Sequence, residues 1–247
     1  MHNYKLTIQY DGGRYKGWQR LGNGENTIQD KLEHVLSGLA GQDIELIGCS
    51  RTDGGVHALA QTANFKADRH FSSQEIMRYV NHYLPRDISV TKVAEVSENF
   101  HARYHAVDKT YLYKIWNKEY SNPFQRKYSM HISEKLDVAA MRQASEYFLG
   151  THDFTAFSNA KSKKKSMLRT IYSIVIEEEE GMLSIRIRGD GFLYNMVRWM
   201  VGTLIEAGLG RIKPEELPEI LDAKDRSRTG NLADAGGLYL ERISYSE

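Results

Sequence analysis

Hydrophobic residues along this chain switch between the two-residue period of strands and the longer period of helices. Tyr4 to Tyr10 alternates in strand fashion, with Leu6 and Ile8 on one side. From Thr27 to Ala40 the apolar residues Ile28, Leu32, Val35, Leu36 and Leu39 fall at helical spacing, and Thr27 with Asp30 supplies a capping signal. Ile44 to Ile47 and Ala58 to Phe65 predict strands. Ile76 to Tyr83 predicts a helix stopped by Pro85, and Ile88 to Val96 predicts another strand. The rhythm then repeats. Tyr104 to Asn117 is a long, aromatic-rich strand candidate, and Asp137 to Leu149 suits a helix. Thr170 to Glu177 and Met182 to Arg188 predict a hairpin whose tip carries the acidic run ending at Glu180 and Gly181. A helix over Phe192 to Ala207 and a closing strand over Leu238 to Tyr245 complete the pattern.

Two βαββαβ-like halves predict an α+β fold, ferredoxin-like in each half. No low-complexity linker separates the halves, so they are expected to share a large, mainly antiparallel sheet flanked by helices. The division is placed at Arg103, giving residues 1–103 and 104–247. A chain of 247 residues can bury the core this needs, and 41% hydrophobic with 26% charged residues describes a soluble globular protein. Met1 to Tyr10 has no apolar signal core, and no run approaches membrane-spanning length. A single cysteine, Cys49, excludes an internal disulfide framework and fits a reducing cytosol, hence a cytoplasmic location. No histidine and cysteine cluster has zinc-ligand spacing, and no Gly-rich phosphate loop occurs, so no cofactor or metal is expected. The formal net charge is only +1, but Lys161, Lys163, Lys164, Lys165 and Arg169 crowd one segment. That run reads as a positive face for a polyanion or, equally, as a solvated loop.

The candidate chemistry lies between Ile47 and Phe65. Arg51-Thr52-Asp53 is followed by Gly54-Gly55 and then Val56-His57-Ala58. Paired glycines after an acid permit a sharp turn, and apolar segments anchor it on both sides. A plain β-turn with a solvated aspartate would have the same local composition. Further along, Tyr111 and Tyr113 alternate onto one strand face, a pattern that by itself favours core packing. Arg198 falls at the edge of a broad apolar helical arc made by Phe192, Met196, Val197, Met200, Val201, Leu204 and Ile205. There it can snorkel to water or meet a carboxylate at the rim of a cleft.

These segments resemble the motifs of the TruA-type tRNA pseudouridine synthases. In that family's loop G-x-G-R-T-D-A-G-V-H-A, this chain matches at Gly48, Arg51, Thr52, Asp53, Gly55, Val56, His57 and Ala58, and departs at Ser50 and Gly54. Tyr111, Tyr113, Ile115 and Asn117 match Y-x-Y-x-I-x-N, and Phe192 with Met196 to Gly202 matches F-x-x-x-M-V-R-x-M-V-G. Tyr10-Asp11-Gly12, Gly17-Trp18-Gln19-Arg20 and Phe100-His101-Ala102-Arg103 resemble other landmarks. The family's T-A-P-A segment is altered here to Asn231-Leu232-Ala233-Asp234-Ala235-Gly236. The resemblance implies a catalytic cleft between the halves, with Asp53 as the catalytic carboxylate and Arg198 as its cationic partner. It gives Tyr111 a stacking role on the target base and Arg51 a place in the flipped-out nucleotide's vacancy or on the backbone. It implies structured RNA as partner, namely tRNA in its anticodon stem-loop, and a homodimer spanned by one RNA. The altered segment and the lysine run leave ribosomal RNA open as target, and a non-catalytic RNA-binding or chaperone protein is the reading from another class.

Overall fold

The computed structural model describes residues 1–22, 24–159 and 166–246. Lys161, Lys163, Lys164 and Lys165 therefore lie outside the described residues. The chain forms two compact units, one of Met1–Val107 with Tyr239–Glu247, the other of Asp108–Leu238. Whereas periodicity divides the chain at Arg103, these units divide at Val107, and the carboxyl-terminal strand belongs to the first.

The first unit is built on β1 (His2–Tyr10), which pairs antiparallel with both β3 (His57–Ala67) and β4 (Ile88–Val96). Leu6, at the centre, faces Ala63 on one side and Val93 on the other, and it is fully buried. Helix α1 (Ile28–Ala40) starts where Thr27 accepts a hydrogen bond from the Asp30 amide, and it ends at Gly41 in the left-handed region. Helix α2 (Ser73–Tyr83) is capped in the same way by Ser72 and stops ahead of Pro85. The strand expected from Ile44 to Ile47 is reduced to β2 (Ile47–Gly48), paired with Asn64 and Ala63 of β3. Side chains of α1 take the amides that a longer strand would need. Ser37 Oγ accepts from Ile44 N at 2.9 Å, and Glu33 Oε1 accepts from Leu46 N at 2.9 Å. Strand β10 (Leu238–Tyr245) runs parallel to β3, with Tyr239 opposite His57.

In the second unit the order is β5 (Ala106–Trp116), β9 (Met182–Gly189), β8 (Leu168–Glu179) and β7 (Gly150–Asp153), all antiparallel. The short β6 (Met130–His131) pairs parallel with β5. Glu180 and Gly181 both adopt positive φ at the β8–β9 turn, so the acidic run closes a two-residue hairpin as expected. Helices α3 (Val138–Glu146) and α4 (Met196–Gly208) bury Met141, Ala144, Met200, Val201 and Leu204. Helix α4 begins four residues later than the apolar spacing predicts, because Asn195 sits at φ 61° and interrupts the helical backbone. Helix α5 (Leu217–Ala223) has no counterpart in the sequence reading. The mixed α+β class with mainly antiparallel strands is the one that the periodicity predicts.

Candidate active site

The Asp53 loop is braced from beneath by the segment that follows β1. Gly12 packs so closely that a Cβ there would lie 1.9 Å from the carbonyl oxygen of Val56. Gly17 adopts φ +102°, and a Cβ on it would meet the Thr52 carbonyl oxygen at 2.6 Å. These two glycines are landmarks in the sequence; the structure shows why no side chain fits. The Trp18 amide donates to the Thr52 carbonyl at 3.0 Å, and the Gly55 amide donates to the Tyr15 carbonyl at 3.3 Å. Tyr10 Oη and Thr52 Oγ1 share a buried hydrogen bond of 2.7 Å. Within the turn, Val56 N donates to the Asp53 carbonyl at 3.2 Å. The main chain is thus tied down at Thr52 before Asp53 and at Gly55 after it, and Asp53 itself is half-buried.

The strand leading into the loop is held as firmly. Gln61 accepts from Ser50 N at 3.2 Å and donates to Ser50 O at 2.7 Å, and Cys49 N donates to Thr62 O at 2.8 Å. Gly48 lies so close to Trp18 that a Cβ would fall 2.4 Å from the indole ring. Arg51 is exposed. His57 is 2% exposed, its ring stacked on Tyr239 with centroids 4.9 Å apart. Its Nδ1 accepts from the Gly12 amide at 3.1 Å and lies 3.1 Å from Asp11 Oδ1. A buried imidazole in these contacts fastens three chain segments together.

The other candidate residues belong to the second unit. Tyr111 stands opposite Ile187 in the β5–β9 ladder, and Tyr113 stands opposite Ile185, so both share one face. Tyr113 is wholly buried and donates its hydroxyl to the Asp234 carbonyl at 2.8 Å. Burial, with the Asp234 charge second, pushes its phenol far above the usual range, which keeps it neutral. Tyr111 is 8% exposed and meets the Phe192 ring nearly perpendicular, with centroids 5.1 Å apart. Arg198, on the second residue of the helical run after Met196, is half-buried. Its Nε donates to the Ala233 carbonyl at 2.7 Å, and Nη1 donates to Asn195 Oδ1 at 3.2 Å. Arg169 lies on β8 opposite His152 and donates to the Ser166 carbonyl at 3.0 Å.

Asn195 and Ala233 are therefore the supports of Arg198 that sequence reasoning misses. Asn195 carried a signal, since asparagine is among the few residues that tolerate the left-handed region. Ala233 carried none, because it acts through its backbone. In this chain the backbone of the altered 231–236 segment supplies that contact. Asn231 O packs on Gly202, where a Cβ would be 1.6 Å away, and Asp234 has φ −61°, the value a proline there would impose. Among the described residues, no group of three or more histidine, cysteine, aspartate or glutamate side chains is disposed to hold a metal. No helix among them is long and apolar enough to cross a membrane.

The fold is of the mixed α+β class, and it carries one carboxylate on a doubly braced turn. Comparison with known proteins gives that class its family. A family model described as tRNA pseudouridine synthase matches residues 6–105 and 144–246. The tRNA pseudouridine synthase A of Bacillus sp. (strain KSM-64) is 64% identical over 245 residues, covering 99% of this chain and 100% of its own. The tRNA pseudouridine synthase A 2 of Bacillus cereus (strain ZK / E33L) is 59% identical over the same span, with the same coverage. The tRNA pseudouridine synthase A of Acetivibrio thermocellus is 45% identical, again over 99% of this chain. The chain belongs to the tRNA pseudouridine synthase family.

Proposed function

We propose that this protein converts uridine to pseudouridine in tRNA, at the anticodon stem-loop, with Asp53 as the catalytic carboxylate. The observation that carries the reading is the Asp53 turn, clamped at Thr52 and Gly55 by the segment after β1, in a chain of this family. The isomerisation breaks the N1–C1′ glycosidic bond, turns the uracil and joins C5 to C1′, releasing the C5 proton. No electron is transferred, so a carboxylate with a cationic partner suffices. Asp53 serves by attack on C1′, by attack on uracil C6, or by abstraction of a ribose proton. Arg198 is assigned to Asp53 by the motif in which it lies, and a cation there keeps the carboxylate ionised. Tyr111 supplies an aromatic surface for the flipped base, and Arg51 takes the vacated place or grips the backbone. Lys161, Lys163, Lys164, Lys165 and Arg169 contact phosphates. The working form is a cytoplasmic homodimer spanned by one RNA, and no cofactor takes part.

Tritium release from tRNA carrying uracil labelled at C5 tests the reaction. Release with pseudouridine formed at the anticodon stem-loop is the expected result. RNA binding without release would make this a binding protein on the same scaffold.

A further inference from the structure

Tyr104 is 77% exposed, yet its ring is held in place. It lies against the His101 imidazole, with centroids 4.1 Å apart and planes 30° apart. His101 Nδ1 accepts from the amides of Arg103 at 3.2 Å and Tyr104 at 3.3 Å. The His101 amide donates to His105 Nδ1 at 3.3 Å, and the His105 amide returns to the His101 carbonyl at 3.1 Å. Two imidazoles thus lock a single turn that presents the phenol ring outward. A solitary exposed tyrosine needs no explanation. This one has a guanidinium anchored on its own turn.

Arg103, on the same turn, is half-buried and donates from Nη2 to the Gly48 carbonyl at 3.3 Å. Gly48 ends β2, three residues before Arg51 in the strand that enters the Asp53 loop. Burial, and then the positive charge of Arg51, hold the Arg103 guanidinium below its usual range. A guanidinium anchored through one nitrogen keeps further donors with which to take an anion. An aromatic face next to a fixed guanidinium is the chemistry that takes a nucleotide, its base on the ring and its phosphate on the cation.

We propose that Tyr104 is a stacking platform for an unpaired base of the substrate RNA, with Arg103 holding the phosphodiester beside it. Because the platform adjoins the strand entering the Asp53 loop, its base is a neighbour of the isomerised uridine, distinct from the one assigned to Tyr111. The proposal rests on RNA being the substrate, as proposed above.

The test compares the affinity of the full-length wild type, Tyr104→Ala and Tyr104→Phe for C5-tritiated tRNA by filter binding. Thermal unfolding and size-exclusion profiles accompany each variant. Loss of stacking should weaken binding by Tyr104→Ala about tenfold or more, while Tyr104→Phe, which keeps the ring, stays within about twofold. Wild-type affinity in Tyr104→Ala would overturn the proposal. A changed oligomeric state with unchanged RNA affinity would also overturn it, assigning Tyr104 to a second copy of the chain. Tritium release from the same wild-type sample judges the isomerase reading separately, since the platform is read by affinity alone.

Discussion

Arg198 shows how a side chain is prepared before any substrate arrives. Its Nε is committed to the Ala233 carbonyl and its Nη1 to Asn195, and two bonds from different atoms fix the plane of a guanidinium. A lysine could not reproduce that geometry with its single ammonium. Tyr111 is the less decided case, because its burial and its edge contact with Phe192 also suit a core residue. Substitution separates the two roles. Tyr111→Phe keeps the ring and loses only the hydroxyl, so it should retain most of kcat/KM. Tyr111→Leu gives up base stacking worth roughly 1–3 kcal/mol, which corresponds to about a five- to 150-fold loss of kcat/KM. Steady-state tritium release from labelled tRNA measures both. Wild-type turnover by the leucine variant would make Tyr111 a core residue.

At the scale of elements, the Asp53 loop sets two adjacent glycines under different constraints. A Cβ on Gly54 would meet its nearest neighbour, the Tyr15 carbonyl oxygen, at 3.5 Å, an ordinary contact. Gly55 has φ 82°, where an L side chain is strained. Gly54→Ala should therefore be neutral or stabilising by about 0.4–1 kcal/mol. Gly55→Ala should destabilise by about 1–2 kcal/mol. Denaturant unfolding of the two variants checks the contrast, and equal effects would mean that the turn is not held as described. The space around Gly54 would admit the alanine that the family's motif has there. Much of the surrounding architecture is legible in the sequence. The Thr27 cap and the bounds of β4 and β10 follow from pattern alone, since local chemistry and tertiary packing agree there. The strand at Ile44 was not legible, because Ser37 and Glu33, distant in sequence, take its amides. The start of α4 was hidden by apolar spacing that runs on through Phe192 past a left-handed Asn195. Helix α5 did leave a trace, with Pro218 in its first turn and Leu217, Ile220 and Leu221 buried at helical spacing. Of the proposed site, Asp53 and Arg198 stand in motifs that the sequence displays, whereas the Ala233 carbonyl that holds Arg198 cannot be read there, because every residue has one.

For the whole molecule, a net charge of +1 is small for a protein that must hold a polyanion, so the basic residues have to act locally. Replacing Lys161, Lys163, Lys164 and Lys165 with serine removes up to four lysine–phosphate pairings. Each pairing removed should flatten the logarithmic salt dependence of tRNA binding by roughly 0.7 to 0.9. Binding measured across a salt series should thus be weaker and less salt-dependent; an unchanged slope would make the run a solvated loop. The central claim is that one carboxylate, presented by a braced turn, performs the isomerisation. Single-turnover tritium release by Asp53→Asn, with enzyme saturating over labelled tRNA, tests it most directly. The amide has the same size but can neither attack nor take a proton, so RNA binding should persist near the wild-type level while release falls to background. Substantial release by the folded, RNA-bound variant would contradict the account.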